Sequence, residues 1–152
     1  MPNWVYNTLE FNSVKDLEKV WKGMRFEFPD GDISFSYESI IPSPRTRQEC
    51  PKGFFVDYDR HIETLDERPW FDWYKWRNFY WGVKWDASEV DTDFATYISF
   101  NSPWGRPSDG IFQGIADKFG VNFISRHTYE EDDSEDVYEW YSNSLRKFVA
   151  LE

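Results

Sequence analysis

FATYISFNSPWGRPSDGIFQGIADKFGVNFISR, residues 94–126, changes its hydrophobic period twice in one run. Phe94, Thr96, Ile98 and Phe100 alternate with Ala95, Tyr97 and Ser99, the two-residue repeat of a strand with one buried face. Pro103 ends that run, because a proline has no N–H to give to a ladder. Pro107 and Ser108 then open a helix in which Ile111, Ile115 and Phe119 recur every four residues, with Phe112 and Ala116 beside them on one apolar stripe. Gly120 is a natural left-handed cap for its end. Val121, Phe123 and Ser125, set against Asn122, Ile124 and Arg126, restore the strand period. The segment reads as strand, helix, strand.

The same order opens the chain. Residues 3–11 place Val5, Leu9 and Phe11 on one side of a strand and Trp4 and Tyr6 on the other, which predicts packing on both faces. Ser13 with Asp16 resembles a capping box with a shorter acid, and Val14, Leu17, Val20, Trp21 and Met24 follow as one helix face to about Arg25. After the turn residues Pro29, Asp30, Gly31 and Asp32, the side chains of Ile33, Phe35 and Tyr37 alternate with Ser34, Ser36 and Glu38 as a further strand. Two such halves make an α+β ferredoxin-like sandwich, βαβ-βαβ, with a four-stranded antiparallel sheet and two helices on one face. Residues 1–150 then form a single domain, with a helical insertion at about 60–82 and an acidic segment at 130–136. The insertion takes Pro69 as its first helical position and Gly82 as its stop, with a break near Glu67. A short strand is expected at 137–141, and Phe54, Phe55, Val56 and Tyr58 suggest another. Leu151 and Glu152 match the pair a common tag vector leaves and are set aside.

Of 152 residues, 28 are acidic and 17 basic, a net charge of −11. That balance argues against nucleic acid as a partner, because such affinity comes from Lys and Arg displacing counterions from phosphates. Cys50 has no second cysteine in the sequence to pair with, so nothing points to an oxidising compartment. No run is apolar for long enough to suggest a membrane span, and no leader pattern is seen, so a cytoplasmic protein is expected.

Several segments together resemble the YubB-type family of plasmid and phage proteins. They are Met1-Pro2-Asn3-Trp4 with Asn7, then Ile40-Ile41-Pro42-Ser43-Pro44, then Trp73-Tyr74-Lys75-Trp76-Arg77-Asn78 with Trp81-Gly82-Val83-Lys84-Trp85-Asp86-Ala87. The likeness covers roughly residues 1–125; Val5 departs from a cysteine often found there, and the acidic stretch after Tyr129 departs further. The resemblance implies a ferredoxin-like fold and a mobile-element setting in a bacterial host, and it brings no reaction to any residue.

Five tryptophans, Trp70, Trp73, Trp76, Trp81 and Trp85, crowd into one short segment. On a helix from Pro69, the side chains of Trp70, Trp73, Tyr74 and Trp81 share a face, while Trp76, Phe79 and Tyr80 point elsewhere. The aromatics are core, with Arg77 and Lys84 stacking on rings, or the second set is an exposed patch for a protein partner. Lys52-Gly53-Phe54-Phe55-Val56-Asp57-Tyr58 resembles an RNA-recognition signature but is one residue short, which reverses the faces of the side chains that follow.

Glu130, Glu131, Asp132, Asp133, Glu135 and Asp136 surround Ser134. Such a run is a solvated loop, a cation site lacking the glycine and terminal glutamate of an EF-hand, or a carboxylate array recognised by the basic surface of a host protein. For catalysis the inventory is short. His61, His127 and Cys50 allow a Cys50–His61 or Cys50–His127 dyad, no zinc or phosphate-loop motif is present, and His127 reads as a surface histidine at a strand end. The expectation is a non-enzymatic acidic binding protein without metal or cofactor, a monomer or homodimer, that inhibits a host defence complex such as a CRISPR or restriction system. A single-stranded nucleic-acid binder stacking bases on Trp76, Phe79, Tyr80 or Phe54 and an enzyme using Cys50 are the alternatives.

Overall fold

Ser13 accepts the Asp16 N–H on its Oγ at 3.1 Å, and this cap divides the first strand from the first helix. A computed structural model describes residues 3–56 and 68–143. Its elements in chain order are β1 (Trp4–Phe11), α1 (Val14–Met24), β2 (Arg25–Glu27), β3 (Ile33–Phe35), α2 (Trp73–Tyr80), β4 (Ser88–Thr92), β5 (Tyr97–Pro103), α3 (Asp109–Phe119), β6 (Phe123–Tyr129) and β7 (Glu135–Trp140). The fold is α+β. Five strands form one antiparallel sheet in the order β4-β5-β1-β6-β7, and β2 and β3 form a separate two-stranded ribbon. Thus α3 carries the chain from β5 over β1 to β6.

Both long helices cover the same face. Leu17, Val20 and Met24 of α1 and Ile111, Phe112, Ile115 and Ala116 of α3 share one core with Leu9, Phe11, Ile98, Phe100 and Phe123 of the sheet. The other face is open: Tyr6 is 43% exposed, so β1 is buried on one side and not on both.

Between α1 and β4 the chain differs most from its sequence reading. Ile33–Phe35 does not enter the main sheet; it pairs with Arg25–Glu27, and Tyr37 turns into a 3₁₀ helix, its N–H held by Asp86 Oδ1 at 3.0 Å. The edge place is taken by β4, whose sequence Ser-Glu-Val-Asp-Thr alternates in burial but holds only one large apolar residue, Val90. A two-residue period reports burial of one face and is silent on which strand is the partner. Similarly, β5 begins at Tyr97 and not at Phe94. The Asp93 carboxylate accepts the N–H groups of Ala95, Thr96 and Tyr97, and Phe94 takes a left-handed φ of 58° in the resulting turn.

Helix α2 starts late, at Trp73, because the Asp72 side chain caps it by accepting the Lys75 N–H at 3.0 Å, and Pro69 lies in the turn upstream. The expected break near Glu67 and His61 lie outside the described residues. Gly82 does end the segment, with φ 77°. A Cβ there would lie 2.8 Å from the Ser108 N, so only glycine permits the join in which Ser108 donates from its N–H to the Trp81 carbonyl (2.7 Å) and from Oγ to the Tyr80 carbonyl (2.6 Å). Lys52–Phe54 is a 3₁₀ turn and Phe55 makes one isolated bridge with Phe71, so the described part of the RNA-recognition-like stretch is not a strand. Among the described residues no helix is long and apolar enough to cross a membrane.

Candidate protein-interaction surface

The acidic segment is the tip and outer strand of the β6–β7 hairpin. Tyr129 donates its N–H to the Ser134 carbonyl (3.0 Å), and Asp133, at φ 56°, donates its N–H to the Tyr129 carbonyl (2.8 Å). Ser134 donates from N–H and Oγ to Asp132 Oδ1 at 3.0 and 2.6 Å, and its hydroxyl leads in holding that carboxyl below the usual range. The Glu130 N–H reaches the Trp4 carbonyl at 3.0 Å, and its carboxylate accepts the Tyr6 hydroxyl at 2.9 Å, a bond that raises the Tyr6 pKa. The tip is therefore a tight turn with positioned carboxylates, and Glu135 and Asp136 belong to strand β7.

Among the described residues, the cations near this surface are already paired. On the open face Arg126 lies between Glu10 (2.6 Å) and Glu135 (3.2 Å), and Arg106 pairs with Asp109 at 2.7 Å while sitting 4.5 Å above the Tyr138 ring. Residues 130–140 contain Glu130, Glu131, Asp132, Asp133, Glu135, Asp136 and Glu139 and no Lys or Arg. The field over the hairpin is negative, which favours a cationic partner over phosphates. Among the described residues no group of His, Cys, Asp and Glu is gathered to hold a metal ion.

The aromatic set is placed differently from the sequence reading. Trp76 is a core residue, 3% exposed, because buried Phe71, which bridges Phe55, and buried Trp81 flank that side of α2 and pack with Tyr80 against its ring. Tyr74 and Phe79 are the exposed rings, Phe79 at 69%, and Tyr80 is half-buried against Phe54. Arg77 and Lys84 do stack, over Trp73 and Trp81 and over Trp85. This cluster rests on the preceding segment of residues 41–53 through Lys75 Nζ to the Gly53 carbonyl and Trp81 Nε1 to the Ile41 carbonyl. Among the described residues no hydrogen bond, ion pair or ring contact joins it to the acidic hairpin.

His127 is not a surface residue. It is fully buried in a polar chain that the sequence reading missed. Trp140 Nε1 donates to Ser125 Oγ (2.8 Å), Ser125 Oγ bonds His127 Nε2 (2.8 Å), and His127 Nδ1 bonds Asn7 Oδ1 (2.7 Å). Asn7 Nδ2 then donates to Ser102 Oγ (2.9 Å), which donates to the Gly105 carbonyl (2.6 Å). One direction of donation satisfies every link: Ser125 gives its proton to Nε2, and a neutral His127 carries its own on Nδ1. Burial first, and Arg106 second, push His127 down to about 4, against an opposing pull from Asp136.

Ser125, His127 and Asn7 thus have the connectivity of a nucleophile, base and orienting amide. Their exposures are 0%, 0% and 1%, and Ser125 Oγ already carries Trp140, so no substrate reaches the hydroxyl in this arrangement. With both ring nitrogens engaged, His127 is not available to Cys50, whose buried thiol donates to the Pro51 carbonyl at 3.4 Å and is raised by burial. The available signal was phase. Asn7 falls in step with Val5, Leu9 and Phe11, and Ser125 and His127 with Phe123, so each is a polar residue on a buried face.

Comparison with protein-family models, with curated proteins and with solved structures finds no match to this chain.

Proposed function

We propose that this chain is a non-enzymatic acidic binding protein that occupies the basic surface of a host nucleic-acid-handling complex, in the manner of an inhibitor carried by a plasmid or phage. The observation that carries the reading is the hairpin: the Asp132 and Glu130 carboxylates accept hydrogen bonds from Ser134 and Tyr6, the Glu130 N–H is tied to the Trp4 carbonyl, and the neighbouring cations among the described residues are already paired. An ordered carboxylate array can take the place of phosphates in a basic groove, and the opposite charges speed encounter. The fold belongs to the same reading. A ferredoxin-like sandwich of the YubB type is supported by the order β6-β1-β5-β4 with α1 and α3 on one face, β7 being an added strand. The setting is the cytoplasm of a bacterial host.

Affinity capture from bacterial lysate tests this, run beside a variant with Glu130, Glu131, Asp132, Asp133, Glu135 and Asp136 changed to Gln or Asn. A basic nucleic-acid-handling complex retained by the native chain and lost by the variant is the expected result; equal capture by both, or none by either, overturns it. Oligonucleotide titration at low salt is the second arm. Tryptophan quenching that weakens as salt rises would replace this reading with single-stranded nucleic-acid binding on the exposed rings.

A further inference from the structure

The two edges of the five-stranded sheet are finished in opposite ways. At β4 the register slips between Ser88 and Asp91, Glu89 takes a left-handed φ of 52°, and the β2–β3 ribbon lies alongside, with Ser34 Oγ donating to the Ala87 carbonyl at 2.8 Å. A bulged and covered edge does not template another strand.

At β7 nothing comparable occurs. The Glu130 N–H bonds Trp4 of β1, and the Tyr129 N–H bonds Ser134 across the hairpin. Antiparallel pairs alternate, so on β6 the residues in phase with Tyr129 bond β7, and His127–Asp136, Ser125–Tyr138 and Phe123–Trp140 are the hydrogen-bonded pairs. Glu135, Val137 and Glu139 therefore turn their backbone N–H and C=O away from the sheet. Among the described residues, none of the three makes a further backbone hydrogen bond there. Past Trp140 the chain is tied elsewhere, Ser142 to Asn122 and Asn143 to Asp117 of α3.

Charge selects the occupant of this edge. A second copy paired antiparallel about Val137 would set Glu135 against Glu139 twice over, and like charges directly opposite are destabilising. A cationic strand meets the reverse situation. We propose that the β7 edge takes an extended basic segment of a partner protein as an added strand, held by the backbone of Glu135, Val137 and Glu139. Lys or Arg of that segment stand beside the two glutamates and an apolar residue stands beside Val137, which is 47% exposed. This rests on the reading of the hairpin as a surface for a basic protein and names the shape in which the partner arrives.

The test uses the full isotopically labelled chain and an acetylated, amidated Arg-Thr-Lys-Thr-Val-Thr-Lys-Thr-Arg peptide, whose sequence reads the same in both directions. Two twins carry backbone N-methyl groups, one on Lys, Val and Lys, the other on the four Thr residues. The parent peptide is expected to shift the Glu135, Val137 and Glu139 amides. One twin, and only one, should bind about tenfold or more weakly, since its methyl groups point at β7. Val137→Pro, which removes an outward N–H without touching charge, should weaken the parent about tenfold while the thermal melt confirms the fold. Both twins binding as the parent does would overturn the proposal and leave a contact through side-chain charge alone. Absence of peptide binding while hairpin-dependent capture persists overturns the edge proposal by itself; loss of that capture as well removes the underlying reading too.

Discussion

On β6 the side chains of Ser125 and His127 enter the core while those of Ile124, Arg126 and Thr128 face out, so two polar networks one residue apart in sequence sit in different media. Beneath the sheet, Trp140, Ser125, His127, Asn7 and Ser102 pass hydrogen bonds along a water-excluded line. Above it, Glu10, Arg126 and Glu135 make fully charged contacts of 2.6 and 3.2 Å in solvent. Formal charge would rank the upper network first. Desolvation reverses the order: a buried group that loses its partner has no water to replace it, whereas an exposed ion pair exchanges one solvated state for another.

That ranking is breakable. His127→Ala leaves a cavity and strands the Asn7 carbonyl oxygen and the Ser125 proton, and should lower the unfolding free energy by about 3–5 kcal/mol in a denaturant titration. Next comes pH. The unfolded imidazole titrates near 6.5 and the folded one at about 4, so the unfolded state binds more protons between those values. Stability should fall as pH drops from 6.5 to 4, by about 3 kcal/mol, and chemical denaturation of His127→Ala should lack that share of the slope. On the open face, Arg126→Gln should cost far less than His127→Ala, and less still in high salt. Smallest is Phe79→Ala, on an exposed ring of α2, expected to change the midpoint by no more than about 0.5 kcal/mol. A loss for Arg126→Gln equal to that for His127→Ala would show that the upper network is not solvated as its exposure indicates.

A related contrast holds within α2. Trp76 and Phe79 are three residues apart, and both belong to the set expected to point away from the core; one is buried and the other is the most exposed large apolar side chain of the described residues. The expected set is therefore divided: Phe79 faces out, and Trp76 is drawn into the core by Phe71 and Trp81. The cap by Asp72 that sets the start is a local feature, but whether Asp72 or Pro69 opens the helix is decided by Phe71, which must reach its bridge with Phe55 before the helix begins.

The hairpin was legible in part. Its composition announced a negative surface, and the strand after it was expected within two residues of its true limits. The turn that orders the carboxylates depends on Tyr129 and Ser134 closing the hairpin, and the availability of the β7 edge depends on the pairing phase inherited from β1.

The sequence by itself determined what short-range periodicity and composition can encode: strand β1, helices α1 and α3, the strand that follows α3, the caps at Ser13 and Gly120, and a net charge of −11. Only the tertiary structure decided which strand fills the edge beside β5, that Asn7 and His127 meet across β1 and β6, and that, among the described residues, one sheet edge is covered and the other is not. The reason is range. Alternation and capping are settled among residues a few positions apart and name no strand partner, while β1 and β6 and the polar chain between them join residues more than a hundred positions apart, as in the bond between His127 and Asn7.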